Sequence, residues 1–340
     1  MTPSVAEALR LVAARKSLPR TLAEACFGDL MEGKATEAQK GALLLGIATR
    51  GETAEEVAGA VAALRARMRR VQSRRAPLLD TCGPGGLGRD LFNLSTAAAV
   101  VAAGAGAAVA KHGNRSISSR VGSADMLAAS GVAVELEPQR AARILDEVGL
   151  VFLFAPSFHP AMKELGTVRR ELGIRTIFNA LGPLANPAGA QRQLIGVGRP
   201  ELVPLLADAL ASLGSERAIV FHSENGLDEL VPGTPAFGVE VRDGWTRPWR
   251  FDPSALSQDP VAVEQLAGGD AATNAAMLER LLSGENGARR EAVLLNVAVA
   301  LIVEGRAADV REGYERACAS LDSGAAARIF ERLRAQSGSE

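Results

Sequence analysis

Nine consecutive residues, Lys111-His-Gly-Asn-Arg-Ser-Ile-Ser-Ser119, carry two cations, a histidine, an asparagine and three hydroxyls. A neutral ligand has no use for so many donors. A phosphate or diphosphate does, because each oxygen accepts several hydrogen bonds and the charge-assisted ones are the stronger. A second candidate is the glycine loop Gly83-Pro-Gly-Gly-Leu-Gly88, followed by Phe92-Asn-Leu-Ser-Thr96 and a run of Ala and Val. Glycines let backbone approach a ligand closely, and Asn93, Ser95 or Thr96 at a helix start offers donors to an anion. The loop also matches G-x-G-x-x-G, but a dinucleotide site needs an acidic residue about 20 positions on to hold the ribose. Lys111 stands there instead, and a cation beside a glycine loop suits phosphate. A third candidate, His222-Ser-Glu-Asn-Gly-Leu-Asp-Glu229, ends in adjacent carboxylates. Asp228 and Glu229 have the oxygen-only chemistry of a magnesium site, which keeps waters and bridges substrate phosphates. An Asp-Glu pair ordinarily just faces solvent, and it gains weight here from the diphosphate loops beside it. The histidines, His112, His159 and His222, are all expected in or at the start of such loops. Arg169, Arg170 and Arg175 add cations that can pair with a carboxylate or simply coat a solvated helix.

Such loops need a scaffold that brings them together. Residues 77–80, 107–111, 150–154 and 218–222 read as short apolar strands, each followed by one of these loops and separated by Ala-rich helical segments. That alternation describes an α/β domain whose ligand lies beyond the carboxyl ends of its strands. The first seventy residues differ. Thr21 with Glu24, Thr36 with Gln39 and Thr53 with Glu56 form capping-box pairs, and Gly33 and Gly51 stand where helices end. A cluster of four helices is expected there, without chemistry of its own, for packing or dimerisation.

The expected fold is therefore α/β: a small helical N-terminal domain and a larger α/β domain with a mostly parallel central sheet flanked by helices. A chain of 340 residues, 47% hydrophobic and 23% charged, is long enough to bury such a core. A net charge of −1 argues against a nucleic-acid or anionic-lipid surface. Cys26, Cys82 and Cys318 are odd in number, far apart and without a CxxC pair, which points to a reducing cytoplasm. Residues 5–15 read as an amphipathic helix instead of a signal peptide, and no stretch is long enough to span a membrane. No P-loop, nucleophile elbow or reactive-cysteine context occurs, so covalent catalysis is not expected.

Lys111-His-Gly-Asn-Arg115, Arg169 with Arg175-Thr-Ile-Phe-Asn179, Gly182-Pro-Leu-Ala-Asn-Pro187, Gly226-Leu-Asp-Glu229, Ala267-Gly-Gly-Asp-Ala271 and Ala292-Val-Leu-Leu-Asn296 together resemble the anthranilate phosphoribosyltransferases over almost the whole chain. The resemblance implies transfer of 5-phosphoribosyl from phosphoribosyl diphosphate to anthranilate, a step of tryptophan synthesis, with two Mg2+ ions per monomer. It implies a homodimer through the helical domain, with residues 1–72 and 166–189 forming that domain and 76–165 and 190–340 the α/β domain. By similarity, Gly83, Gly86, Leu87, Leu91, Asn93, Leu94, Ser95, Thr96, Lys111, His112, Gly113, Asn114, Arg115, Ser116, Ser118, Ser119 and Ser123 hold phosphoribosyl diphosphate. Gly83, Asn114 and Arg169 bind anthranilate, with His112, His159 and Pro183 lining its path, and Ser95, Asp228 and Glu229 ligate magnesium. No certain catalytic side chain is implied. The family's loop ordinarily reads Gly-Thr-Gly-Gly-Asp-Gly with a later Thr; here Pro84, Leu87 and Leu91 replace those polar residues, and Pro84 also lacks an amide donor. Two alternatives follow: a drifted paralogue with another acceptor or a binding role only, and a nucleotide-cofactor oxidoreductase.

Overall fold

The first helix, α1 (Pro3–Ala13), and its three successors α2 (Arg20–Met31), α3 (Glu37–Arg50) and α4 (Ala54–Arg67) are short because capping chemistry punctuates them. In this computed structural model, which describes residues 1–84, 90–116, 120–256 and 260–338, Thr36 and Thr53 form complete capping boxes with Gln39 and Glu56. Gly51 closes α3 at φ 95°, a conformation that an L side chain resists. Glu56 also accepts the Leu18 amide at 2.8 Å and pairs with Arg50, so the box at α4 anchors a buried carboxylate. The expected box at Thr21 does not form. Pro19, at φ −57°, is the N-cap of α2, and Thr21 falls inside the first turn, where its hydroxyl has no orphan amide ahead of it to satisfy.

Seven strands follow among the described residues: β1 (Leu79–Asp80), β2 (Val109–Gly113), β3 (Leu150–Phe154), β4 (Arg192–Gly196), β5 (Arg217–Ser223), β6 (Ala236–Arg242) and β7 (Trp245–Phe251). Their order is β3-β2-β1-β4-β5-β6-β7, with the first five parallel and the last two added antiparallel. β3, Leu-Val-Phe-Leu-Phe, is buried at every position, as a strand covered on both faces must be. Strands β4, β6 and β7 are not among those that the apolar runs predict. β4 begins with Arg192 and Gln193, and β7 carries Arg247, Pro248 and Arg250 along an exposed edge, so neither shows an apolar run.

The helices between and beyond the strands are α5 (Leu94–Gly104), α6 (Ser123–Ala129), α7 (Pro138–Val148), α8 (Ala155–Phe158), α9 (Gly166–Leu172), α10 (Phe178–Leu181), α11 (Leu202–Ser212), α12 (Ala271–Leu282), α13 (Ala288–Glu304), α14 (Val310–Asp322) and α15 (Ala325–Gly338). Two apolar cores result. One joins β1 to β3 with α5, α7, α13 and α15, through residues such as Val101, Phe152, Leu294 and Phe330. The other joins α1 to α4 with Leu165, Phe178 and Leu184 and extends onto the sheet through α11, Ile195 and Val220. Each fully buried Leu or Phe contributes roughly 2–3 kcal/mol, so the second core binds the helical cluster firmly to one face of the sheet. Among the described residues, no helix is long and apolar enough to cross a membrane.

Candidate active site

From β1 the sheet is extended by β2 on one side and by β4 on the other, so a crevice opens between the carboxyl ends of β1 and β4. A cavity of about 100 Å3 lies there, lined among others by Thr81, Gly83, Ser95, Gly196, Asp228, Glu229 and Asn296. Its floor is backbone against backbone. A Cβ on Gly83 would lie 2.6 Å from the Gly196 carbonyl oxygen, and one on Gly196 would lie 1.7 Å from the Asp228 carbonyl oxygen. Neither position tolerates a side chain without moving a neighbouring chain.

The acidic pair is presented by a hoop after β5. Ser223 Oγ donates to the Glu229 carbonyl at 2.6 Å, and Asn225 Oδ1 accepts the Leu227 amide at 3.1 Å. Asn296, on α13, clamps the next residue from both sides: its Oδ1 accepts the Leu230 amide and its Nδ2 donates to the Leu230 carbonyl. Both carboxylates are only partly accessible. Burial, then the neighbouring Asp228, pushes Glu229 up to about 8, against the pull of Lys111 and of the Ser95 amide, from which it accepts a hydrogen bond. Burial raises Asp228 as well. Two crowded carboxylates beside the Ser95 hydroxyl form an oxygen-only donor set whose mutual repulsion a divalent cation relieves. No group of three or more His, Cys, Asp or Glu converges anywhere among the described residues.

The sequence pattern makes Lys111 the last residue of a strand and the first of the loop that follows. Lys111 lies inside β2, which runs two residues further than its apolar run and so includes His112 and Gly113. Its ammonium is buried, donating to the Thr81 carbonyl at 3.3 Å and to Ser95 Oγ at 3.4 Å. Beneath it, Asp80 ends β1 fully buried, accepting the His112 amide at 3.2 Å and Asn186 Nδ2 at 2.7 Å. Burial pushes Asp80 up to about 6, and Lys111 is the strongest opposing influence. Lys111 thus counters carboxylates on two sides.

Asn93 is the N-cap residue of α5, yet its side chain makes no cap bond to its own helix. Ser95 lines the cavity, whereas Leu94 and Thr96 on the same helix start are buried. Leu91 pairs with Ala267 in an isolated antiparallel bridge. In the second loop, Arg115 pairs with Asp125 at 3.0 Å and lies 5.6 Å from the Phe154 ring centroid. Ser116 donates its amide to Asp125, and Ser123 donates to the Asn114 carbonyl. Gly86, Leu87, Ser118 and Ser119 lie outside the described residues.

A second pole lies beside this one. The rings of His112 and His159 are 5.1 Å apart. His112 Nδ1 faces the Gly182 carbonyl at 2.9 Å, so this nitrogen must carry the proton, and Nε2 is a buried acceptor with no partner among the described residues. Pro183 is buried, and its carbonyl is held by Gln193. Arg169, on α9, is partly buried over Phe178 at 5.7 Å, and burial lowers its pKa. His222 is buried within β5, with Nδ1 on the Val197 carbonyl at 2.8 Å, and it lies close enough to Asp228 to oppose the rise of that carboxylate's pKa. Sequence reading gives no role to Asp80, Asn186, Gly196, Asn274 or Asn296, although Asn186 and Asn296 stand in motifs that carry the resemblance. Asn296 also shows as a lone amide in a long apolar helix.

The histidine pair carries a pH signature. Burial first, then the His159 ring, lowers His112 to about 3, and burial lowers His159 to about 4. Above pH 6.5 both are neutral whether folded or unfolded. As pH falls through 6.5 the unfolded chain takes up protons that the folded one refuses, and stability is lost at up to about 1.4 kcal/mol per pH unit per histidine. Denaturant midpoints measured from pH 7.5 to 5 should therefore fall less steeply for His112→Asn than for the wild type. Parallel curves would refute the assignment.

The fold agrees with that of known proteins. Residues 6–68 match the model of the glycosyl transferase family, helical bundle domain, and residues 75–327 that of the glycosyl transferase family, a/b domain. The anthranilate phosphoribosyltransferase of Anaeromyxobacter dehalogenans is 49% identical over 318 residues, 94% of each chain. The crystal structure of anthranilate phosphoribosyltransferase from Thermus thermophilus superposes with a TM-score of 0.92 at 41% identity, covering 98% of this chain and 99% of that one. The Saccharomyces cerevisiae enzyme in complex with PRPP and Mg gives 0.90 at 25% identity, covering 100% and 99%. With similarity of this extent across both domains, the chain belongs to the anthranilate phosphoribosyltransferase family.

Proposed function

We propose that the crevice between β1 and β4 is where this chain transfers 5-phosphoribosyl from phosphoribosyl diphosphate to anthranilate, with the diphosphate beside Lys111 and the Asp228–Glu229 pair. The observation that carries this reading is the convergence of Ser95, Lys111, Asp228 and Glu229 at the point where the sheet's winding reverses. Gly83, Gly86, Leu87 and Leu91 offer backbone to the diphosphate. Asn93, Leu94, Ser95 and Thr96 form the helix start facing it. Residues 111–116 with Ser118, Ser119 and Ser123 hold the remaining phosphate and ribose oxygens. Ser95, Asp228 and Glu229 would hold Mg2+, two ions per monomer, which when bound would neutralise the departing diphosphate.

In the reaction the bond from the anomeric carbon to the diphosphate oxygen breaks, a bond to the arylamine nitrogen forms, and that nitrogen then loses a proton. The amine is already a nucleophile, so placement supplies much of the rate. His112 supports this view: with a pKa near 3 it can accept a hydrogen bond through Nε2 but does not take up a second proton at neutral pH. Gly83, Asn114 and Arg169 receive anthranilate, with His112, His159 and Pro183 lining its path. Arg169→Ala should raise KM for anthranilate by about tenfold or more, the worth of a charge-assisted hydrogen bond, and change KM for phosphoribosyl diphosphate by less than twofold. Equal rises in both would remove Arg169 from the carboxylate role.

Residues 1–72 with 166–189 form one domain in this reading, and 76–165 with 190–340 the other. The helical domain joins two copies: Leu45 on α3 is 49% exposed, a large apolar residue on a surface that a partner would cover. Sedimentation of the wild type as a dimer, and of Leu45→Glu as a monomer, is the expected result. A cytoplasmic location accords with three free cysteines.

A further inference from the structure

Asn274 lies on α12, is 1% exposed, and is remote in sequence from every loop described above. Its two side-chain atoms can be assigned without ambiguity. Oδ1 receives the backbone amide of Gly269 at 2.7 Å, and a backbone N–H can only donate, so this atom is the oxygen. The other atom, Nδ2, is therefore a donor, and it meets the Asn93 side chain at 2.9 Å. The Asn93 atom it meets must accept, which makes that atom Oδ1 and turns Asn93 Nδ2 the other way, where the Val121 carbonyl holds it only at 3.4 Å. One backbone N–H thus sets two amides in series. The arrangement also explains why Asn93, at the N-cap of α5, does not cap its own helix: its carbonyl oxygen is already engaged. The segment holding the first link is itself tied to the exit of the glycine loop, by the Gly268 amide on the Asp90 carbonyl at 2.9 Å and by the Phe92 amide on the Leu266 carbonyl at 2.9 Å.

We infer that Asn274 is a positioning residue for phosphoribosyl diphosphate, fixing the Asn93 amide so that its NH2 group, not its oxygen, is offered to the anionic substrate. This rests on the reading of the crevice given above. A flipped Asn93 would turn a carbonyl oxygen toward phosphate oxygens, an acceptor against acceptors.

The test is Asn274→Asp, which still accepts the Gly269 amide but can no longer donate to Asn93. KM for phosphoribosyl diphosphate should rise about tenfold, the worth of one charge-assisted hydrogen bond, with KM for anthranilate within twofold of wild type. The same substitution made on Asn93→Ala should change KM for phosphoribosyl diphosphate by less than about twofold, because the residue it acts through is gone. A rise of equal size in both backgrounds, or none in the first, overturns the inference. If Asn274→Asp does not fold, Asn274→Ala read through the same pair of backgrounds decides the matter by the same criteria. Wild-type protein that leaves anthranilate unconsumed would overturn the reading beneath it, whereas normal wild-type turnover with an indifferent Asn274→Asp would overturn this inference alone.

Discussion

Lys111→Met is expected to lower kcat/KM for phosphoribosyl diphosphate by about a hundred- to a thousandfold, the loss that follows removal of one preorganised donor aimed at developing charge. Methionine matches the length of lysine, so the space is kept and the charge alone is lost. In the folded protein that charge counters Asp80 on one side and Glu229 on the other, and its ammonium links the Thr81 carbonyl to the Ser95 hydroxyl. Removing one partner from a buried charged cluster costs about 3–5 kcal/mol when the other must stay charged. Here the carboxylates escape part of that by binding protons. Both already have raised pKa values, and a carboxylate raised in the folded state gives stability that is fully present below its unfolded pKa and is lost as pH rises through its folded pKa. The variant, with those values raised further, should thus gain stability relative to wild type as pH is lowered from 8 to 6. Steady-state kinetics with each substrate varied, and urea midpoints at pH 6, 7 and 8, read both effects. A kcat/KM within fivefold of wild type would remove Lys111 from the diphosphate role. Arginine should not rescue it, since a planar fork does not fit where a compact ammonium sits between two oxygens.

Gly196→Ala is the second large effect, and it adds a single carbon. That carbon would lie 1.7 Å from the Asp228 carbonyl oxygen and 2.6 Å from its carbon, with Phe221 Cζ at 3.0 Å. The Asp228 backbone must retreat by more than an ångström to reach ordinary contact. The Glu229 carbonyl and Leu230 are pinned by Ser223 and Asn296, so the hoop cannot yield as a unit, and the carboxylates leave their positions relative to Ser95. A misplacement of about 1 Å can lower turnover about a hundredfold. Overpacking of this kind removes about 1–3 kcal/mol of stability. The expected result is a folded protein with a lowered melting temperature, a kcat down by about two orders of magnitude, and a higher magnesium requirement. Unchanged kcat and magnesium response would mean that the hoop does not act in turnover.

The chemistry of this crevice is more legible in the sequence than its architecture. Lys111, Asp228 and Glu229 announce themselves by charge beside glycine, and β3 announces itself by five apolar residues in a row. β4, which completes the crevice, does not, because its first two residues are polar and its contribution is a glycine whose backbone must approach Asp228. The Thr36 and Thr53 boxes are readable because each satisfies orphan amides locally; the pattern at Thr21 misleads, because Pro19 has already set the helix start. Asp80 and Asn274 are hidden for a different reason. Their partners His112 and Asn93 lie 32 and 181 residues away, so no local pattern marks what they hold. The replacement of polar residues by Pro84, Leu87 and Leu91 is plain in the sequence. The described residues add that Leu91 has a structural task of its own, the bridge to Ala267 that ties the glycine loop to the segment before α12.

The most direct test follows the fluorescence of anthranilate on mixing purified protein with phosphoribosyl diphosphate and Mg2+, and again with a chelator in excess. Loss of anthranilate that the chelator stops, and that Glu229→Gln slows by about a hundredfold or more, is the result expected if the crevice beyond β1 and β4 performs the transfer. Anthranilate left unconsumed at every magnesium concentration, or consumed equally well by Glu229→Gln, would contradict it.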